Sequence, residues 1–159
     1  MGIYQIHAEQ SLPIDVQTAW QFLSDPHNLQ EITPEYMGFE VLTKNLPTKV
    51  YAGLMIQYTV RPVLGIPMRW VTEITHVQDG EYFVDEQRVG PYRIWHHEHF
   101  IKPIPGGVQM IDIVTYQPPL GILGSLANAL FIRRQLRTIF AYRREALHKR
   151  FGVFSGDGK

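Results

Sequence analysis

Hydrophobic positions change their period twice along this 159-residue chain. The opening run Ile3-Tyr4-Gln5-Ile6-His7-Ala8-Glu9 alternates loosely and predicts a strand ending near Ser11. Past Pro13, the apolar residues Val16, Ala19, Trp20 and Leu23 follow helical spacing, and Asp15 stands where an N-cap or first-turn acid belongs. Asp25-Pro26 stops that helix, and a short second one fits 28–32 before Thr33-Pro34. From residue 36 the period becomes two. It predicts strands at 38–43, 54–61, 68–77, 82–89, 92–101 and 108–117, joined by Asp79-Gly80, Gly90-Pro91 and Ile104-Pro105-Gly106-Gly107. Connections this short pair neighbouring strands antiparallel. Pro118-Pro119 closes the last strand. After Gly121, the residues Ala129, Ile132, Leu136, Ile139, Phe140 and Leu147 return to helical spacing and predict one long helix to about Arg150.

This order describes an α+β domain over 1–151: a curved antiparallel sheet of about seven strands, two short helices after the first strand, and a long C-terminal helix. Residues 152–159 read as a disordered tail. A curved sheet around a helix leaves space between them, and that space is where a ligand belongs. Turn positions then set the register. A two-residue turn at Asp79-Gly80 pairs Gln78 with Glu81, Ile74 with Asp85 and Thr72 with Gln87. A tip at Ile104-Pro105 puts His97 opposite Asp112 and Trp95 opposite Val114. A three-residue loop at Gly90-Pro91-Tyr92 puts Asp85 opposite His97 and Gln87 opposite Trp95, whereas a two-residue loop reverses the facing. Under the three-residue reading one face carries Trp70, Thr72, Ile74, Phe83, Asp85, Gln87, Trp95, His97, His99, Met110, Asp112, Val114 and Tyr116. Its tryptophans mark it as the inner face. It holds a row Asp85–His97–Asp112, in which the two acids should raise the pKa of the histidine.

Composition narrows the function. The chain has 15 basic and 15 acidic side chains and a net charge of zero, which argues against a nucleic-acid partner. The zero is segregated: residues 1–40 hold six acids and no Lys or Arg, 41–121 hold seven of each, and 122–159 hold eight bases against two acids. No cysteine is present, so thiolate chemistry and disulfides are excluded. No segment reaches the roughly 20 apolar residues of a membrane span. The chain opens without a signal-peptide pattern, and a cytoplasmic protein is expected.

The run His96-His97-Glu98-His99 raises metal binding. On a strand His97 and His99 share a face while His96 and Glu98 take the other, so adjacency alone gives no three-ligand cluster. Imidazoles two apart can chelate zinc, with Asp85 or Asp112 completing a site. No helical His-Glu-x-x-His motif is present, so the histidines are read as structural or pocket residues, with no metal and no cofactor. Arg143 interrupts the apolar stripe of the C-terminal helix, either pairing inward with one of the acids or snorkelling out. Arg133, Arg134, Arg137 and Arg144 lie mostly off that stripe. Together with Leu120, Ile122, Leu123, Leu126 and Phe131 they also fit transient contact with a membrane surface.

Several local runs resemble the SRPBCC, or START-related helix-grip, superfamily, and among its members the small bacterial ligand-binding proteins. These runs are Ile32-Thr33-Pro34, Gly65-Ile66-Pro67-Met68-Arg69-Trp70, Phe83-Val84-Asp85-Glu86-Gln87, the stretch from Gly90 to Phe100, Asp112-Ile113-Val114-Thr115-Tyr116, and Ile139-Phe140-Ala141-Tyr142-Arg143. The likeness spans nearly the whole chain and extends to the domain found with epimerase-like proteins labelled "cell division inhibitor". It implies non-catalytic binding of a small hydrophobic or amphipathic molecule, lipid- or polyketide-like. Tyr58, Trp70, Trp95, Met110 and Tyr116 would supply apolar contact. Gln87, His97, His99, Asp112 and Arg143 would orient a polar group, with residues 118–124 and the last helix as gate. Two alternatives stand beside it: a cyclase or dehydratase using His97 with Asp85 or Asp112 as an acid–base pair, and an interaction module beside an epimerase-like partner. The sequence leaves the ligand and the oligomeric state open.

Overall fold

The computed structural model describes residues 2–63 and 65–156. Strand β1 (Tyr4–Leu12) leads into helix α1 (Val16–Leu23). Asp15 caps that helix by accepting a hydrogen bond from the Thr18 backbone N–H at 2.8 Å. The expected second helix is two 3-10 turns, Pro26–Gln30 and Glu35–Met37; Asp25 caps the first of them and Pro26 opens it. Strands β2 (Glu40–Val41), β3 (Met55–Val63), β4 (Ile66–Gln78), β5 (Tyr82–Val89), β6 (Ile94–Ile104) and β7 (Gly107–Gln117) follow. The chain ends in helix α2 (Gly121–Ala127), a π turn (Asn128–Ile132) and helix α3 (Arg133–Phe151). The seven strands form one antiparallel sheet in the order β1-β7-β6-β5-β4-β3-β2.

Four expectations need correction. The strand expected at 38–43 pairs over only two residues, because beyond Val41 the Thr43 hydroxyl takes the Gln57 N–H from the ladder. At the β4–β5 turn Gln78 pairs with Tyr82 rather than Glu81, since Asp79 to Glu81 make a three-residue loop. A bulge between Ile74 and His76 then restores the expected pairs Ile74–Asp85 and Thr72–Gln87. The β6–β7 tip sits at Pro105-Gly106, where Gly106 adopts φ +84, so Ile104 pairs with Gly107. That moves the register by two: His97 faces Val114, Trp95 faces Tyr116, and Asp112 faces His99. A shift of two leaves every side chain on its predicted face. Asp85 does face His97, but the β5–β6 ladder ends at Glu86–His96. Gln87 leaves it to bond the Tyr92 backbone, its Oε1 accepting from N–H at 3.1 Å and its Nε2 donating to C=O at 2.6 Å.

The long C-terminal helix forms as expected except for the π turn at its start. Gly124 of α2 packs so closely on the Pro119 carbonyl that a Cβ there would lie 1.8 Å from the oxygen. Phe154, in the expected tail, lies over Gly106 and Gly107 at the β6–β7 turn; residues 157–159 fall outside the described set.

Two apolar clusters form the core. One joins α1 and the sheet through Trp20, Phe22, Ile74, Phe83, Ile101 and Met110 to Leu147 of α3. The other joins Ile6, Val114 and Tyr116 to Ile132 and Leu136. Along β7 the inward residues run Met110, Asp112, Val114; along β6, Ile101, His99, His97, Trp95; along α3, Leu147, Arg143, Leu136. The polar residues therefore occupy one level between the clusters.

Candidate functional site

Strand pairing brings the polar level together as a closed ring of two imidazoles and two carboxylates. His97 and His99 stand two apart on β6, with ring centroids 3.7 Å apart. On one side Asp85 of β5 offers Oδ2, 2.7 Å from His99 Nε2 and 3.4 Å from His97 Nδ1. On the other side Asp112 of β7 offers Oδ1, 3.1 Å from His97 Nε2 and 2.9 Å from His99 Nδ1. The last contact is an ion-pair approach, and its angle is too poor for a hydrogen bond. Arg143 points inward from α3 and places Nη2 3.2 Å from the same Asp112 oxygen. All five residues are buried or nearly so.

Burial alone would push both carboxyls up. The His97 charge and the His99 hydrogen bond hold Asp85 below its usual value. Arg143 and the two histidines hold Asp112 well below the carboxylate range. The histidines split. Burial and the neighbouring His99 charge lower His97 despite its two acids, contrary to the rise expected from the row. For His99 burial also lowers, but Asp112 and Asp85 outweigh it and the pKa is raised. One imidazolium, one neutral imidazole, two carboxylates and one guanidinium sum to zero, which is how such a group is tolerated in a core.

Asp85, His97, His99 and Arg143 face a cavity of about 190 Å³ between the sheet and α3. Its walls are aromatic and aliphatic: Tyr58, Trp70, Phe83, Tyr92 and Trp95 from the sheet side, Leu136, Ile139 and Phe140 from α3, and Ile32, Met37 and Phe39 from the short turns. Trp70 Nε1 donates to Thr72 Oγ1 at 3.0 Å, and the Tyr58 hydroxyl lies 2.7 Å from the same oxygen. Burial, with the Asp85 charge adding to it at Tyr58, pushes the Tyr58 and Tyr92 phenols far above their ordinary value, so both remain protonated.

Of the residues expected to line this space, Tyr58, Trp70, Trp95, His97, His99 and Arg143 do so. Asp112 supports the ring from behind, Met110 belongs to the core beside it, Tyr116 is fully buried against Tyr92 and Trp95, and Gln87 holds the Tyr92 loop. Sequence reasoning missed Phe39, Tyr92, Ile32 and Met37, which come from turns and loops without a period. The apolar stripe of α3 did mark Leu136, Ile139 and Phe140. A second, larger groove of about 650 Å³ opens between β1 and α3, lined by polar residues including His7, Glu9, Arg133, Arg137 and Arg144. Arg143 borders both spaces.

A curved antiparallel sheet closed over a long C-terminal helix, with an apolar cavity between them, defines the helix-grip fold of the SRPBCC superfamily. The chain belongs to the family described as polyketide cyclase / dehydrase and lipid transport, whose sequence model matches residues 12–141. Among solved structures it resembles a protein of Thermus thermophilus at 16% identity and TM-score 0.68, covering 92% of this chain and 96% of that one. A protein of Chromobacterium violaceum gives 14% identity and TM-score 0.69, with 94% and 99% covered. The protein Ara h 8.0201 gives 14% and 0.56, with 93% and 99% covered. Identities this low establish the fold alone. No curated protein matches the sequence.

Proposed function

We propose that this chain binds a compact hydrophobic molecule carrying one polar group, held non-covalently between the sheet and α3. The cavity carries this reading. Its 190 Å³ exceeds the about 150 Å³ that suffices for benzene in an apolar protein cavity, yet falls below the about 300 Å³ where drug-sized pockets begin. A molecule of one or two rings fits it, while a long acyl chain needs the walls to open. Tyr58, Trp70, Trp95 and Phe140 supply the apolar contact. Arg143, whose buried Nε has no hydrogen-bond partner, and His97 supply the polar end. The test is native mass spectrometry of protein purified from its own host. A non-covalent adduct lost on denaturation is expected. A bare chain that also forms no adduct with naphthol-sized probes overturns the reading.

Acid–base catalysis is a second reading, favoured by one observation: His97 lines the cavity while hydrogen-bonding Asp112 at 3.1 Å. In that case His97→Ala abolishes turnover of a cyclisable or dehydratable substrate and leaves the fold intact.

The outer face of α2 and the π turn suits loading from an anionic membrane. Ile122 is 84% exposed and Leu120 77%, Leu123, Leu126 and Leu130 are also exposed, and Arg133, Arg134 and Arg137 follow within one or two turns. Apolar insertion with adjacent basic charge is what such a surface requires. Among the described helices none is long and apolar enough to cross a bilayer.

A further inference from the structure

The cavity side of the polar ring carries a donor set of which holding an organic molecule uses His97 alone. Asp85, His97 and His99 each offer one ligand atom there, all within 4.8 Å of one another. Zinc-type ions bond histidine nitrogen and carboxylate oxygen at about 2.0–2.1 Å, which puts tetrahedral donor atoms about 3.3–3.4 Å apart. The 3.4 Å between Asp85 Oδ2 and His97 Nδ1 fits as it stands. The 2.7 Å between Asp85 Oδ2 and His99 Nε2 is a hydrogen bond and has to widen by about 0.6 Å.

What lies behind these donors matches a metal centre. The far nitrogens of both imidazoles face Asp112 Oδ1, at 3.1 and 2.9 Å. The hydrogen bond from His97 Nε2 to Asp112 fixes that ring's tautomer, so His97 would ligate through Nδ1, while His99 turns Nε2 toward Asp85 and would ligate through it. Arg143 offsets the charge of Asp112 at 3.2 Å. With neutral imidazoles, Asp85 then remains as one buried negative charge that needs a cation. A proton on His99 also balances that charge, but it leaves His97 Nδ1 facing a carboxylate at 3.4 Å with no hydrogen bond between them.

We propose that Asp85, His97 and His99 bind a divalent transition-metal ion, with Asp112 and Arg143 as its support and its open coordination positions directed into the cavity. Two histidines and one carboxylate with positions to spare suit Zn²⁺ or Fe²⁺. Sequence reasoning offered Asp85 or Asp112 as the completing ligand and set metal aside; the β5–β6 register brings Asp85 beside both imidazoles. The ion goes beyond the function proposed above, since the site needs no organic molecule to be complete.

The test uses the full chain dialysed against EDTA and then returned to chelator-free buffer. Calorimetry with Zn²⁺ and visible absorption with Co²⁺ are expected to show one equivalent bound, with the intense d–d bands of a low-coordinate site. Asp112→Asn should weaken binding by about 10–100-fold, and Asp85→Asn by more. His96→Gln removes a surface histidine that sits 3.0 Å from Glu86, and it should change nothing. Failure of the wild type to take up one equivalent of Co²⁺, bands of the weak six-coordinate type, or equal affinity in a folded Asp85→Asn variant overturns the proposal. The wild-type titration decides even if the variants do not fold. A chain that keeps an organic adduct in EDTA yet takes no metal loses this inference alone, and a chain that takes metal but no organic molecule loses only the function proposed above.

Discussion

Arg143→Met tests the polar ring most directly. Arg143 is buried, and its Nη2 is 3.2 Å from Asp112 Oδ1. Methionine keeps much of the side-chain volume and removes the charge. Breaking a buried ion pair by deleting one partner costs about 3–5 kcal/mol, because the other charge stays behind uncompensated. Here His99 still stands 2.9 Å from the same oxygen, so the lower figure of about 3 kcal/mol applies. For a chain of this size that lowers Tm by about 6–12 °C. Urea unfolding followed by tryptophan fluorescence, in EDTA at pH 7, reads the loss as a shift in midpoint at constant slope. The sign with pH follows from Asp112, whose folded pKa lies well below its ordinary value. Its pairing stabilises the fold above the ordinary carboxylate pKa and is lost as pH falls through the lowered one. The gap between wild type and variant therefore closes as the medium is acidified below about pH 4. A loss below about 1 kcal/mol at pH 7, the value of an exposed pair, or a gap that widens on acidification refutes the ring as an electrostatic unit.

Filling the cavity with Ile139→Trp should abolish adducts in native mass spectra while costing about 1–3 kcal/mol of stability; adducts that persist would place the ligand elsewhere. In metal-free protein, histidine NMR titration should find His99 above about 6.5 and His97 below it. The contribution of His99 is then present below about pH 6.5 and fades as pH rises through its raised pKa, whereas that of His97 is present above about 6.5 and fades on acidification; the reverse order of the two would sink the assignment. Leu147→Ala, at a residue 1% exposed where α3 meets the first cluster, should cost about 2–5 kcal/mol by urea unfolding. Replacing exposed Leu123 and Leu130 by Asp should change stability by less than about 0.5 kcal/mol each, yet reduce co-sedimentation with anionic vesicles; unchanged sedimentation removes the membrane reading.

Most of the fold was legible because period and turn chemistry are local. The strands from 54 to 117 and the stripe of α3 follow from them directly. Facing was legible too, and more robustly than pairing. Moving the β6–β7 tip from Ile104-Pro105 to Pro105-Gly106 exchanged His97 for His99 opposite Asp112, yet left all three on the inner side. Likewise the three-residue β4–β5 loop displaced Gln78, and a bulge then cancelled the displacement before Asp85 was reached. The row survived as a set, with His99 added to it, although one of its pairs, His97–Asp112, was misassigned. What could not be read were walls without a period, namely Met37, Phe39 and Tyr92, and the size of the cavity. The opposite shifts of His97 and His99 were hidden as well, since they depend on imidazoles whose centroids lie 3.7 Å apart competing for one proton.

Segregated charge has a different meaning in the folded chain than the bare count implied. An acidic start and a basic end suggest two layers drawn together, yet among the described residues a single ion pair, Glu31 with Arg150 at 2.9 Å, joins them. Arg144 turns instead to the Glu9 carbonyl, and Glu9 to His7 and Gln109. One exposed pair contributes below about 1 kcal/mol, so the layers are held by the two apolar clusters and the buried ring rather than by surface charge. Among the described residues no ion pair joins Arg133 or Arg134, in the first turn of α3, to the acidic start, and they come directly after the run of exposed leucines. In the membrane reading proposed above, those arginines are the basic charge beside the exposed leucines, and the vesicle co-sedimentation of the Leu123 and Leu130 variants decides it.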